Sequence, residues 1–196
     1  MKIDKKLNLT FPVDLEDGTK VHIFSTPISR SIFETYFLTI TRTFAVMTEQ
    51  GSAWLLRMGP RTAKLMLKRT AEADNAWSGP GGVEFGLLGE IRRLTNVLAP
   101  MPNGGWDLLP FQDAKDKGLL SAEEADEVEQ ALVFFIVVSS SMKPNEAGML
   151  LEPTFGLLDG CLTSSDITAF QASLKISTPV ESTGVKPIQK PSSIPH

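Results

Sequence analysis

A chain of 196 residues, 42% hydrophobic with three Trp and eleven Phe, can bury a full core for one domain. Its net charge of −4 argues against free nucleic acid as the main partner, and a single cysteine excludes an internal disulfide and fits a reducing cytoplasm. No apolar run follows the basic residues of "MKIDKKLNLTFPVDLEDG", so no signal peptide is expected, and the longest apolar run, Ala131 to Val138, is far short of the roughly 20 residues of a membrane-spanning helix.

Leu7, Leu9, Phe11 and Val13 alternate onto one face of a strand, Asp17-Gly18 supplies a turn, and Val21 and Ile23 resume the alternation. This predicts a β-hairpin. In "SRSIFETYFLTITRTFAVMTEQG", Ser31 and Glu34 have capping-box spacing, and Phe33, Tyr36, Phe37, Ile40, Phe44 and Met47 recur at helical steps. One continuous helix is expected, with Phe33, Phe37 and Phe44 in the core and Gly51 as C-cap. A second helix is predicted to open at Gly59-Pro60, with Pro60 in its first turn, and to run to about Asn75. A third covers 83–98, lined by Leu87, Ile91, Leu94 and Leu98. Gly86 and Gly89 would each cost about 1 kcal/mol inside it relative to Ala, so they mark a close helix contact or a later start.

"APMPNGGW" reads as a loop. Ser121 and Glu124 form a second capping box, opening a helix that runs to about Met142, before Lys143-Pro144. Its first turns are acidic (Glu123, Glu124, Asp126, Glu127, Glu129), and its second half, around Phe135, is apolar on every side, as in a buried centre. A buried strand "LVFFIVV" competes with that reading; the cap and the length decide for helix. A weaker helix follows Ser164 or Ser165 through Ile167, Phe170 and Leu174. From Ile176 on, four prolines, six Ser/Thr and no aromatic predict a disordered tail. The fold class so read is mainly α: an N-terminal hairpin over 1–26, a helical domain over 27–175 and a flexible tail over 176–196.

Few residues suggest chemistry. "DAKDKGLLSAEE", Asp113 to Glu124, has the acid, glycine and glutamate of an EF-hand loop at positions 1, 6 and 12. Lys115 and Lys117 stand where two ligands belong, so Gly118 is better read as a C-cap and Glu124 as part of the capping box. His22 and His196 lack any partner motif, and Cys161 has neither a CxxC nor a nearby His, which fits a buried or half-buried inert thiol. "WSGPGGVEFG" lacks the Lys and Ser/Thr of a phosphate loop and reads as a turn. No catalytic, cofactor or metal site is expected. Arg57, Arg61, Lys64 and Lys68 make a basic stripe on the second helix. Such a stripe is either a solvated face or a contact for an acidic surface, which the acidic turns from Glu123 to Glu129 could supply within the chain or a partner could bring.

"MKIDKKLNL…FPV", "STPISRSIFETYFLTITRTFA", "GEIRRLTNVLAP", "GLLSAEEADEVEQALVFFIVVSS" and "AFQASLKISTPVESTG" together resemble a family of tail assembly proteins of long-tailed bacteriophages. The resemblance runs along most of the chain and implies a tail assembly chaperone. Such a protein works in the host cell cytoplasm, keeps the tape measure protein soluble, helps tail tube subunits polymerise around it, and is absent from the mature virion. In some of these families a ribosomal frameshift appends a second domain, and no catalytic residues carry over. Homo-oligomers are compatible with this reading; nucleic acid and membrane are not expected partners. The alternatives are a structural virion component (a minor tail or head–tail connector protein), a small regulator of a host protein and, last, an enzyme.

Overall fold

The computed structural model describes residues 7–174. Strands β1 (Asn8–Asp14) and β2 (Lys20–Ser25) form the expected hairpin, paired from Leu9↔Ser25 to Asp14↔Lys20, with Gly18 at φ 80° in its turn. The hairpin is the middle of something larger. β3 (Thr95–Pro100) pairs with β2, β4 (Trp106–Pro110) pairs with β3, and β5 (Cys161–Thr163) pairs with the start of β1. The result is a five-stranded antiparallel sheet in the order β4-β3-β2-β1-β5. The mainly α expectation is therefore corrected: helices and a full sheet share the core. A lone hairpin is marginal in water, and here its backbone groups find partners on both sides. β5 pairs only with Asn8, Leu9 and Thr10, so Pro12 sits past it, on an open stretch of β1 where its missing N–H costs nothing.

The third predicted helix is divided. Gly86 caps α4 (Leu87–Arg93), and a Cβ there would meet the Tyr36 hydroxyl, so both a later start and a close contact hold at Gly86. Gly89 lies inside the helix with open space around it, and neither holds there. The chain leaves the helix at Leu94 to enter β3. Leu98 falls on the helical stripe of Leu87 and Ile91 by spacing alone; in the structure it is a fully buried strand residue opposite His22. Of the predicted loop "APMPNGGW", Ala99, Pro100 and Trp106 belong to the strands, and residues 101–105 turn β3 into β4, with Gly104 and Gly105 at φ 82° and 93°.

The first predicted helix is also two. α1 (Arg30–Thr35) is capped by Ser29, not Ser31, and Glu34 pairs with Arg30 instead of closing a capping box. Tyr36, at φ −108° and ψ 17°, breaks the axis before α2 (Phe37–Glu49). Ile40, Thr43 and Met47 are buried, Phe33 and Phe44 are half-buried, and Phe37 is 47% exposed, so the expectation of Phe37 in the core fails. Gly51, at φ 91°, is the N-cap of α3 (Ser52–Ala73) and not the C-cap of the helix before it. α3 is 22 residues long with Pro60 inside it, beginning well before the predicted start. Pro60 has no N–H for the Leu56 carbonyl, a loss the packing of Leu55, Ala63, Leu67 and Ala71 outweighs.

α5 (Phe111–Asp116) ends as predicted at Gly118, φ 69°. The Gly118 N–H donates to the Lys115 carbonyl (3.0 Å) and the Leu119 N–H to the Ala114 carbonyl (2.9 Å), which is a Schellman motif. α6 (Ala122–Ser141) carries the predicted Ser121–Glu124 capping box, and from Leu132 to Val138 it is buried on all sides. It runs through the middle of the helical layer, where the Gly59 backbone of α3 lies against the Phe134 ring. α7 (Pro144–Gly156) was not predicted; Pro144 suits its first turn, but Gly148 and Pro153 weaken its helical signal. α8 (Ile167–Ser173) is capped by Asp166 and lies over the second face of the sheet, its Phe170 ring 5.7 Å from Phe24. The predicted tail, 176–196, lies outside the described residues, as does His196.

Candidate functional site

The four residues of the basic stripe separate into two pairs. Lys64 is half-buried, and its ammonium contacts Asp126 Oδ1 at 2.5 Å and Glu129 Oε2 at 2.6 Å. The Lys64 N–H donates to Gln130 Oε1 at 2.8 Å. Two of the five acids in the first turns of α6, Asp126 and Glu129, are thus met by the stripe within the chain. Lys68 faces Glu72 at 3.8 Å and stands 5.6 Å from the centre of the Trp77 ring. Arg57 and Arg61 are exposed and form no ion pair among the described residues.

Those two arginines stand over a groove. Its larger part, about 600 Å³, lies between the open edge of β1 (Phe11, Pro12, Val13), the α6 wall (Asp126, Glu127, Gln130, Ala131) and the turn after α7 (Leu158, Asp159), with Pro60 and Arg61 on its α3 side. A second part of about 330 Å³ continues past Pro60, Arg61 and Leu158 along Leu56, Arg57, Met58 and Leu157. Apolar surface is open at this end: Met58 is 39% exposed and Leu157 70%. Arg61 lines both parts of the groove, Arg57 only the smaller, and Asp14, Asp126, Glu127 and Asp159 only the larger. The sequence stripe points to the arginines; of the apolar surface beside them, Met58 comes from α3 itself and Leu157 from the end of α7, which periodicity does not reveal.

Behind the α6 wall is a buried ionic cluster. The Glu129 side chain is 3% exposed. It accepts from Arg92 Nε at 2.7 Å and Nη2 at 3.1 Å, in addition to Lys64. Burial alone would push its carboxyl up; hydrogen bonds from Arg92 and Lys64 and their charges hold it below the ordinary value instead. Burial works against Lys64 as well, yet hydrogen bonds to Asp126 and Glu129 raise it, and the hydrogen bond to Glu129 raises Arg92. The cluster joins α3, α4 and α6. Glu129 lies at helical spacing from the buried Ala125 and Leu132, and an acid on a buried stripe is the signal that it needs a partner.

The other candidates stay apart from this groove. The Glu124 carboxylate accepts from the Ser121 N–H at 2.7 Å and from the Glu16 N–H at 3.0 Å, so it is occupied by the cap and the neighbouring hairpin. His22 is half-buried, its ring 5.0 Å from Trp106 and 6.2 Å from Phe170, and burial, then the Lys20 charge, pushes it down. Cys161 is exposed, contrary to the buried thiol expected, because it sits on the short outermost strand; its Sγ is 3.2 Å from Thr10 Oγ1. Among the described residues no group of three or more His, Cys, Asp or Glu is placed to hold a metal ion, and no helix is long and apolar enough to cross a membrane. No known protein family, no curated protein and no solved structure matches the chain.

Proposed function

We infer that the protein is a bacteriophage tail assembly chaperone that seats a helical segment of the tape measure protein in the α3–α6–α7 groove. Two things support this reading: the resemblance that runs along most of the chain, and the form of the groove. The observation that carries it is the pairing of Arg57 and Arg61, one helical turn apart and without ion partners among the described residues, with the open apolar surface of Met58 and Leu157. An amphipathic helix presents an apolar stripe with charges along its border, and it docks where apolar surface lies beside opposite charge. Carboxylates four residues apart on such a helix would meet the two arginines.

The physical need is plain. An unassembled tape measure protein exposes long apolar helix stripes, which self-associate unless another apolar surface covers them. Covering them reversibly keeps the protein soluble until tube subunits close around it. The role has no bond-making step and needs no reactive pocket.

Co-expression tests the reading. The tape measure protein should move from the pellet to the soluble fraction and co-purify with the chaperone. Arg57→Glu with Arg61→Glu should weaken the complex, most visibly at low salt. If the tape measure protein stays insoluble, no complex forms, and the chain is found in mature virions at fixed copy number, it is a structural component of the particle.

A further inference from the structure

The outward face of α2 is short of charge. Phe37 and Leu38 are 47% and 61% exposed at its start, and half-buried Thr41 and exposed Ala45 and Thr48 follow at helical spacing. Exposed apolar surface with few charges is how the centre of a protein interface is composed. This face lies on a different helix from the groove, so it calls for its own occupant.

Only two charged residues interrupt the face, and their placement identifies the occupant. Arg42 and Glu49 are seven residues apart, two helical turns, and carry opposite signs. They are symmetric about the point between Ala45 and Val46. A second copy of α2 laid antiparallel across that point puts each Arg42 opposite Glu49 of the other copy, twice. A parallel pairing would set Arg on Arg and Glu on Glu. Arg42 holds Asp74 through Nη1 alone at 2.5 Å, and its side chain remains 55% exposed, so Nε and Nη2 are free to meet another carboxylate. Glu49 is exposed and has no ion partner among the described residues. At the centre of the pairing, Ala45 is small enough for two helices to approach closely.

We propose that the chain forms an isologous dimer through α2, antiparallel, with Arg42 paired to Glu49 across the two-fold axis. No residue of α2 lines the groove, so the groove of each copy remains available.

Sedimentation velocity on the full chain at micromolar concentration should show a dimer. Ala45→Arg, at an exposed helical position, should give a monomer with unchanged helicity, whose melting temperature no longer depends on protein concentration. Glu49→Arg should raise the dimer dissociation constant by roughly tenfold or more, as expected for losing two rim charge pairs and gaining two repulsions. In a Cys161→Ser background, Ala45→Cys should form a disulfide-linked dimer. Leu38→Cys should not, because antiparallel pairing holds the two Leu38 positions roughly 22 Å apart at a rise of 1.5 Å per residue. A chain that sediments as a monomer, a dimer indifferent to Ala45→Arg, or equal cross-linking at both cysteine positions would overturn the proposal.

Discussion

Glu129→Ala removes the centre of the buried cluster, and the structure sets the size of its effect. Three charge-assisted hydrogen bonds are lost, two from Arg92 and one from Lys64. Breaking a buried ion pair by deleting one partner costs about 3–5 kcal/mol, since the remaining charge is left uncompensated. Here the two cations keep some access to water, their side chains being 26% and 22% exposed, and Lys64 keeps Asp126. The lower end, about 3 kcal/mol, is therefore expected. Asp126→Ala is the control: its side chain is 53% exposed, so its loss should cost under about 1 kcal/mol. Urea denaturation followed by far-ultraviolet circular dichroism at neutral pH measures both. The pH dependence follows from the direction of the shift. The Glu129 carboxyl lies below its ordinary value of 4.5 in the fold, so its contribution is complete above that value and is lost as pH falls through the folded-state value. The wild-type and Glu129→Ala stabilities should converge in that acid range. A Glu129→Ala loss no larger than that of Asp126→Ala would refute the reasoning.

The remaining predictions concern packing and the loop before α6. Gly59→Ala should lower the melting temperature, although the same change on an open helix face stabilises by about 1 kcal/mol, because the new methyl would press on the buried Phe134 ring; a higher melting temperature would show that the ring yields freely. Phe135→Ala should cost about 3–5 kcal/mol in chemical denaturation, and a loss below about 1 kcal/mol would place the second half of α6 at a surface. Calorimetric titration with calcium should show no saturable heat, since Lys115 and Lys117 hold ligand positions and the cap holds Glu124; a dissociation constant tighter than roughly 10⁻⁴ M would reverse that reading.

α6 is legible because everything that defines it lies within its own residues: the Ser121–Glu124 cap, the acidic first turns and the apolar run behind them. The β1–β2 hairpin is legible for the same reason, with its alternation and its Gly18 turn adjacent in sequence. β3 is not, because its pairing partner is far back in the chain, as in Thr95 opposite Ser25, and because Leu94 and Leu98 continue a helical spacing by coincidence. Strand content depends on tertiary pairing more than on local preference. The start of α3 is hidden behind Pro60, whose local cost the burial of four apolar residues outweighs. Of the groove, the sequence shows Arg57 and Arg61 as half of a basic stripe. It leaves open whether the acidic turns of α6 meet that stripe within the chain; Asp126 and Glu129 do so at Lys64, from more than sixty positions away, while Lys68 faces Glu72 on its own helix.

Site-specific photo-cross-linking within the co-expressed complex tests the groove most directly. A photoreactive residue at Leu157, which opens onto the groove beside Arg57 and Arg61, should yield an adduct with the tape measure protein. The same residue at Met149, 80% exposed on α7 but outside the groove lining, should yield none. Mass spectrometry of the Leu157 adduct should find an amphipathic helical segment with carboxylates four residues apart. A stable complex that cross-links at Met149 and not at Leu157 would contradict the groove as the docking site.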